Sequence, residues 1–417
     1  MFDHLSTDQP IFAPESWELT EQQVALTSQA RALAQERFAP RATRWDREAI
    51  FPTENYEDLY QAGLFGLCIP EGDGGLGADL KTYMLTAAEI GRYCGATALT
   101  FNMHICSTLW SGSLTDALEL TPAQREQHHR HRSVHYDRIL NQGKIYAQPF
   151  SEGNAAASGK MPFGTLAKRV EGGWRVNGRK VFASLSGSAH YYGVLATEDK
   201  AEASRRDTLY IAIPADAEGC NVSGEWDPLG MRGTVSRTLT FEEVFVPEDA
   251  QLMPPGIYHQ AAVRWPHMFM TLTPTYMGLM QGAFDFTIKY LRGEIPETRG
   301  MKRRMHPVKQ LSVAQMKIML EQTKALWFQS ISEARVDPSK EERLRAYAAQ
   351  YSVMENANAL CQMAIRTCGG HSMLKTLPLE RMYRDSRCGS LMLPWSAEIS
   401  LERLGIESLY ERGEKDD

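Results

Sequence analysis

Thr165 to Lys180 reads TLAKRVEGGWRVNGRK. Trp174-Arg175-Val176 and Lys180-Val181-Phe182 are short β-forming runs. The Asn177-Gly178 pair between them is a hairpin signal, because Asn and Gly tolerate the positive φ of a tight turn. Similar pieces recur at Tyr191–Ala196, Thr208–Ile213 and Thr238–Phe245, separated by Gly, Asn and Asp. From Lys144 to about Pro247 the pattern predicts a barrel or sandwich of about 100 residues.

Outward on both sides the chain reads as helical. Glu21 to Phe38 is rich in Ala, Gln, Glu and Leu, and Pro40 is expected to end that helix. A Gly-rich turn, GLFGLCIPEGDGGLGAD from Gly63 to Asp79, precedes a further helix over Lys81–Arg92. Beyond Gln260, the residues Leu344, Tyr347, Tyr351, Met354, Asn358, Cys361, Ile365 and Cys368 alternate three and four apart. They predict one continuous apolar stripe with the polar Asn358 as its single exception, stopped by Gly369-Gly370. The order divides the chain into a helical domain (1–143), a β domain (144–255) and a helical bundle (256–417).

Composition excludes several classes. The 417 residues are 43% hydrophobic and 23% charged with net charge −6, so there is no basic excess for nucleic acid or anionic lipid. Lys302-Arg303-Arg304 is too short to change that and reads as a solvated loop. Met1–Glu15 is polar without the pattern of a signal peptide, and no apolar run nears the ~18–20 residues that span a bilayer, so a cytoplasmic protein is expected. Seven scattered cysteines without a C-x-x-C pair suggest reduced thiols. His128, His129, His131 and His135 could gather on a helix, but their neighbourhood is Arg-rich and supplies no further ligand. A solvated helix is expected, with no metal.

Three segments carry a resemblance. Gly63–Asp79, Trp226–Pro247 (WDPLGMRGTVSRTLTFEEVFVP) and Cys368–Arg387 (CGGHSMLKTLPLERMYRDSR) are similar, in order, to signature segments of the acyl-CoA dehydrogenases. The resemblance implies an α+β multidomain fold: N-terminal helical domain, central β-barrel or sandwich domain, and C-terminal four-helix bundle. It also implies noncovalent FAD, an acyl thioester substrate on CoA or a carrier protein, and a homodimer or homotetramer. The electron acceptor would be an electron-transfer flavoprotein or oxygen.

By the same resemblance, Phe150 and Ser151 fall on a flavin-contacting loop, Phe182 on an aromatic position packed against the isoalloxazine, and Ser184 on a hydroxyl near flavin N5. Read without it, Phe182 is a core residue of an ordinary strand. Arg299 and Gln310 have the spacing of an Arg and a Gln that reach a neighbouring subunit's cofactor. Arg366, Gly369 and Gly370 could meet pyrophosphate, or be a surface Arg and a helix stop. Ser396 and Glu398 match a Thr and a Gln of the cofactor site.

The family's base does not align with an acid. One position falls on Leu393 or Pro394, the other on Met268. A positioned base contributes roughly 10²–10⁴ in rate, so three readings stand. The first is α,β-oxidation of an acyl thioester with hydride transfer to flavin N5 and an unidentified base, His267 and Glu398 being candidates. The second is another flavin reaction, such as monooxygenation, and the third a non-catalytic subunit of a hetero-oligomer. His104, Met268, Met392, Leu393 and Trp395 are candidate wall residues.

Overall fold

The computed structural model describes residues 9–394, 396–411 and 413–414; Trp395 lies outside the described residues. α1 (Glu21–Leu33) starts in a capping box in which Thr20 Oγ1 accepts from Gln23 N and the Gln23 side chain accepts from Thr20 N. Pro40 does not end the helical path. A π-turn over 34–38 leads directly into α2 (Ala39–Glu48), and Pro40 falls in its first turn, where a missing N–H costs little. α3 (Thr53–Gln61), α4 (Leu80–Gly91), α5 (Gly95–Leu109) and α6 (Pro122–Leu140) follow. α6 carries the histidines, and it is not simply solvated. His128 is buried against the Ser111 carbonyl (2.6 Å), and His135 Nδ1 meets the Tyr146 hydroxyl (2.9 Å).

The β unit comprises β1 (Tyr146–Ala147), β2 (Leu166–Val170), β3 (Gly173–Ala183), β4 (Tyr191–Glu198), β5 (Thr208–Pro214), β6 (Cys220–Ser223), β7 (Arg237–Pro247) and β8 (Gln251–Met253). They form one sheet in the order β6-β7-β3-β2-β4-β5-β8, with β1 parallel to β4. Asn177-Gly178 is not the turn. It lies within β3, and the hairpin closes at Glu171-Gly172, because Val170 pairs with Gly173. The Asn177 side chain is spent across the sheet, accepting from Glu243 N at 2.8 Å. Gly178 marks a bulge, and a Cβ there would stand 2.6 Å from Thr165 Cα.

A second irregularity in β3, between Lys180 and Ala183, decides where Phe182 points. Trp174, Val176 and Lys180 face inward, and strict alternation would bury Phe182 with them. The shift turns Phe182 outward with φ +52° and 71% of it exposed, while Ala183 takes the buried place.

The chain then returns to helices: α7 (Ile257–Arg264), α8 (Thr273–Arg292), α9 (Pro307–Ser332), α10 (Lys340–Cys368), α11 (Leu379–Cys388) and α12 (Ala397–Leu409). α8 crosses α4 closely enough that a Cβ on Gly278 would meet the Ala88 carbonyl at 2.0 Å. On α10, Tyr347, Met354, Cys361 and Cys368 are buried, but Leu344, Tyr351, Asn358 and Ile365 are only half-buried. Val353, Ala357, Leu360 and Ala364 complete a wider buried face, because α10 packs against α8, α9, α11 and α12 together. No helix of the described residues is long and apolar enough to cross a membrane.

Candidate flavin and substrate site

The strand edge bearing Phe182 and Ser184 is built on a buried ion pair. Lys180 Nζ lies 2.8 Å from Glu152 Oε1 and donates to the Leu195 carbonyl at 2.7 Å. The side chains of Lys180 and Glu152 are 0% and 4% exposed. Glu152 also accepts from Gly164 N (2.6 Å), Thr165 N (2.9 Å) and Thr165 Oγ1 (2.6 Å). Burial pushes this carboxyl up, but the charge and hydrogen bond of Lys180, with those of Thr165, outweigh it and hold it low. Burial pushes the ammonium of Lys180 down to about 8, against the pull of Glu152. Fixing Glu152 and Lys180 fixes their neighbours: the Ser151 carbonyl accepts from Val181 N at 2.8 Å. Ser151 is thereby paired with Val181, next to Phe182 and three residues before Ser184 at the end of β3, and Phe150 is buried edge-on to Phe163 (5.8 Å between ring centres).

The second wall is the loop from Trp226 to Ser236. Trp226 stands edge-on to Phe182 at 6.5 Å, and its Nε1 donates to the Arg232 carbonyl. α11 holds this loop. Buried Asp385 accepts from Met231 N at 2.5 Å, and Arg384 bridges Asp46, Glu380 and the Leu229 carbonyl. Burial pushes the Asp385 carboxyl up to about 6, with Arg381 opposing. Positive φ at Met231 (+53°) and Val235 (+46°) folds the loop so that Ser184, Ser236 and Thr234 line up as a chain of hydroxyls.

Arg299, Gln310, Arg366, Gly369 and Gly370 gather elsewhere, at one end of the helical bundle. Lys309, beside Gln310, donates to the Thr367 carbonyl beside Arg366, and the Tyr290 hydroxyl links Arg303 to His371. Arg299, Gln310 and Arg366 are exposed, and Gly369 has φ +88°. Among the described residues no hydrogen bond or ring contact joins this group to Ser151, Phe182 or Ser184. Ser396 is buried at the N-cap of α12, and Glu398 is exposed on that helix's first turn.

The base positions are apolar in space as well as in sequence: Met268 and Pro394 are buried and Leu393 is half-buried. His267 is fully buried, and neither ring nitrogen has a hydrogen-bond partner among the described residues. Burial pushes it down to about 4, and the charges it feels, Glu333 and Arg335 of the α9–α10 connection and Glu342 of the first turn of α10, do not belong to the β unit. His104 is a strut rather than a free wall residue. Its Nδ1 accepts from Tyr146 N (3.1 Å) and its Nε2 faces the Phe65 carbonyl (3.3 Å). Among the described residues no group of His, Cys, Asp and Glu could hold a metal ion.

The Glu152–Lys180 pair, the Thr234–Ser236 hydroxyls and Asp385 were not singled out by the sequence. The inward parity of Lys180 with Trp174 and Val176 was the available signal for the first.

Comparison with known proteins gives matches along most of the chain. Family models described as the acyl-CoA dehydrogenase N-terminal, middle and C-terminal domains match residues 20–113, 149–244 and 267–393. The mitochondrial short-chain specific acyl-CoA dehydrogenase of Mus musculus is 27% identical over 376 residues, covering 89% of this chain and 87% of its own. A KijD3 solved in complex with FMN and a dTDP-linked amino keto sugar superposes with a TM-score of 0.79 at 20% identity, covering 96% and 95% of the two chains. The dibenzothiophene monooxygenase TdsC from Paenibacillus sp. A11-2 gives a TM-score of 0.74 at 21% identity, covering 91% and 96%.

Proposed function

This chain belongs to the acyl-CoA dehydrogenase family, and from that premise we propose that it is a flavin-dependent monooxygenase. The observation that carries the reading is the absence of an acid at Met268, Leu393 and Pro394, with His267 sealed in the core and Glu398 on an exposed turn. Abstraction of a proton from a thioester's Cα needs a base within about 2.6–3.2 Å of it, and none of these groups offers one. Oxygen transfer to a nucleophilic substrate has no such requirement.

The residues present fit a flavin. Phe182 is held outward in a strained conformation, which supports a flat ring packing on its exposed face. Ser151 and Ser184 supply short polar groups beside it. In this reading Phe150, Ser151, Phe182 and Ser184 hold the isoalloxazine. Arg299, Gln310, Arg366, Gly369, Gly370, Ser396 and Glu398 serve the pyrophosphate and adenylate of FAD, some of them from a neighbouring copy. Reduced flavin would supply two electrons to dioxygen, one oxygen atom entering the substrate and the other leaving as water. The chain's own part is to orient the ring through Ser184 and to keep the Ser151 loop in place through Glu152 and Lys180. The KijD3 complex with FMN and the monooxygenase TdsC support this use of the fold.

A second reading, α,β-dehydrogenation of an acyl thioester by an unidentified base, is favoured by the 27% identity to the short-chain dehydrogenase. Anaerobic addition of an acyl-CoA panel to the flavin-loaded protein separates the two. The proposal expects no bleaching by any thioester, and oxygen-dependent turnover when a separate flavin reductase and NADH supply reduced flavin. Rapid anaerobic bleaching by a thioester would overturn it.

A further inference from the structure

Three buried hydroxyls run in a line from the proposed flavin edge. Ser184 Oγ is 2.8 Å from Ser236 Oγ, Ser236 Oγ is 2.7 Å from Thr234 Oγ1, and Thr234 Oγ1 is 2.9 Å from the Met231 carbonyl oxygen. Each hydroxyl carries one proton, so the line has two self-consistent directions. In the first, Ser184 donates to Ser236, Ser236 to Thr234, and Thr234 to the Met231 carbonyl; Ser184 then presents an accepting oxygen. In the second, Thr234 donates to Ser236 and Ser236 to Ser184, which leaves the Ser184 proton free to donate outward. Only the first direction uses the carbonyl, and so it contains one more hydrogen bond. The anchor is fixed, because Met231 N donates to buried Asp385 and Thr234 N also donates to the Met231 carbonyl at 3.0 Å.

We propose that the Ser184–Ser236–Thr234 line biases the bound flavin toward its reduced state. The inference rests on the flavin reading of the Ser184 edge. Oxidised flavin has an accepting lone pair at N5, whereas two-electron reduction places a hydrogen there that must be accepted. The carbonyl-anchored direction meets the reduced form, and the reversed direction meets the oxidised one. One hydrogen bond of difference corresponds to a factor of roughly 2–12 in the ratio of affinities for the two states.

The test is the midpoint potential of the flavin-loaded protein. Thr234→Val removes the terminal link with little change of shape, and Ser236→Ala cuts the line one step nearer the flavin. Each is expected to lower the potential by about 10–30 mV, the 2–12-fold change converted at 30 mV per tenfold for two electrons. In a Ser184→Ala background, Thr234→Val should leave the potential where Ser184→Ala puts it. A potential unmoved by both single variants, or moved equally in the Ser184→Ala background, overturns the relay and leaves the flavin reading standing. Wild-type protein that binds no flavin overturns both.

Discussion

Replacing Lys180 with Met removes an ammonium from a place water does not reach while keeping most of the side chain's volume. Two hydrogen bonds disappear, to Glu152 at 2.8 Å and to the Leu195 carbonyl at 2.7 Å, together with the cation's seat 4.4 Å from the centre of the Phe163 ring. The carboxylate stays behind, 4% exposed. Breaking a buried pair by removing one partner costs about 3–5 kcal/mol. The three remaining donors to Glu152, from Gly164 and Thr165, hold the expected loss near the lower end, about 3 kcal/mol. For 417 residues unfolding as one unit, that corresponds to a fall in thermal midpoint of roughly 3–4 °C. Lys180→Met combined with Glu152→Gln removes both charges and should recover about 2 kcal/mol relative to the sum of the single variants. Because the Ser151 carbonyl is bonded to Val181 N, flavin retention should fall and recover in parallel. Differential scanning fluorimetry with flavin fluorescence on the same four proteins reads both effects. An unchanged midpoint in Lys180→Met, or strictly additive losses in the double variant, would mean that the buried pair does not hold this part of the fold.

Other outcomes follow from the same geometry. Asp385 is raised from an ordinary 3.8 to about 6, so the folded chain binds that proton more tightly than the unfolded one. Its stabilising contribution is complete below pH about 4 and is lost as pH rises through about 6. Asp385→Asn should therefore gain on wild type by up to about 3 kcal/mol between those limits; a midpoint difference constant from pH 4 to 8 would contradict this. Phe182→Ala, at a position 71% exposed, should change stability by less than about 0.5 kcal/mol. It should weaken flavin binding by about 2–12-fold, as read by fluorescence titration, and equal affinity would count against the stacking role. Val308 and Leu311 on α9 are 75% and 67% exposed, and Met305, just ahead of them, is 67% exposed. An apolar patch of this kind beside Arg299 and Gln310 fits a contact with a second copy. Val308→Glu with Leu311→Glu should yield monomer in light scattering and release flavin together with it; an intact oligomer would disprove that interface.

The helical, β and helical succession was legible because periodicity and turn chemistry are local properties. What failed were details set by long-range register. Asn177-Gly178 carries the local mark of a turn, but cross-strand pairing with β7 and the burial of Trp174 and Val176 draw it into a strand, and Glu171-Gly172 turns instead. The exposure of Phe182 depends on a strand irregularity with no glycine to announce it, so alternation alone would have buried the residue. The alternation that turns Lys180 inward does not name its partner, because Glu152 stands 28 positions earlier and meets it only in the fold. The hydroxyl line could not be read for a similar reason: it depends on left-handed backbone at Met231 and Val235, which is unusual for either residue type. Pro40 looked like a stop because a proline in a helix interior is one, whereas a π-turn just before it resets the helix and makes its position an N-terminal one.

The proposed flavin chemistry requires that Ser151, Phe182 and Ser184 receive an isoalloxazine. The direct measurement is the visible spectrum and chromatographic flavin content of the full chain purified from riboflavin-fed cells. The expected result is a yellow protein with about one flavin per chain, the flavin being largely lost in Phe182→Ala with Ser184→Ala. A colourless, folded wild-type protein that takes up neither FAD nor FMN would contradict it.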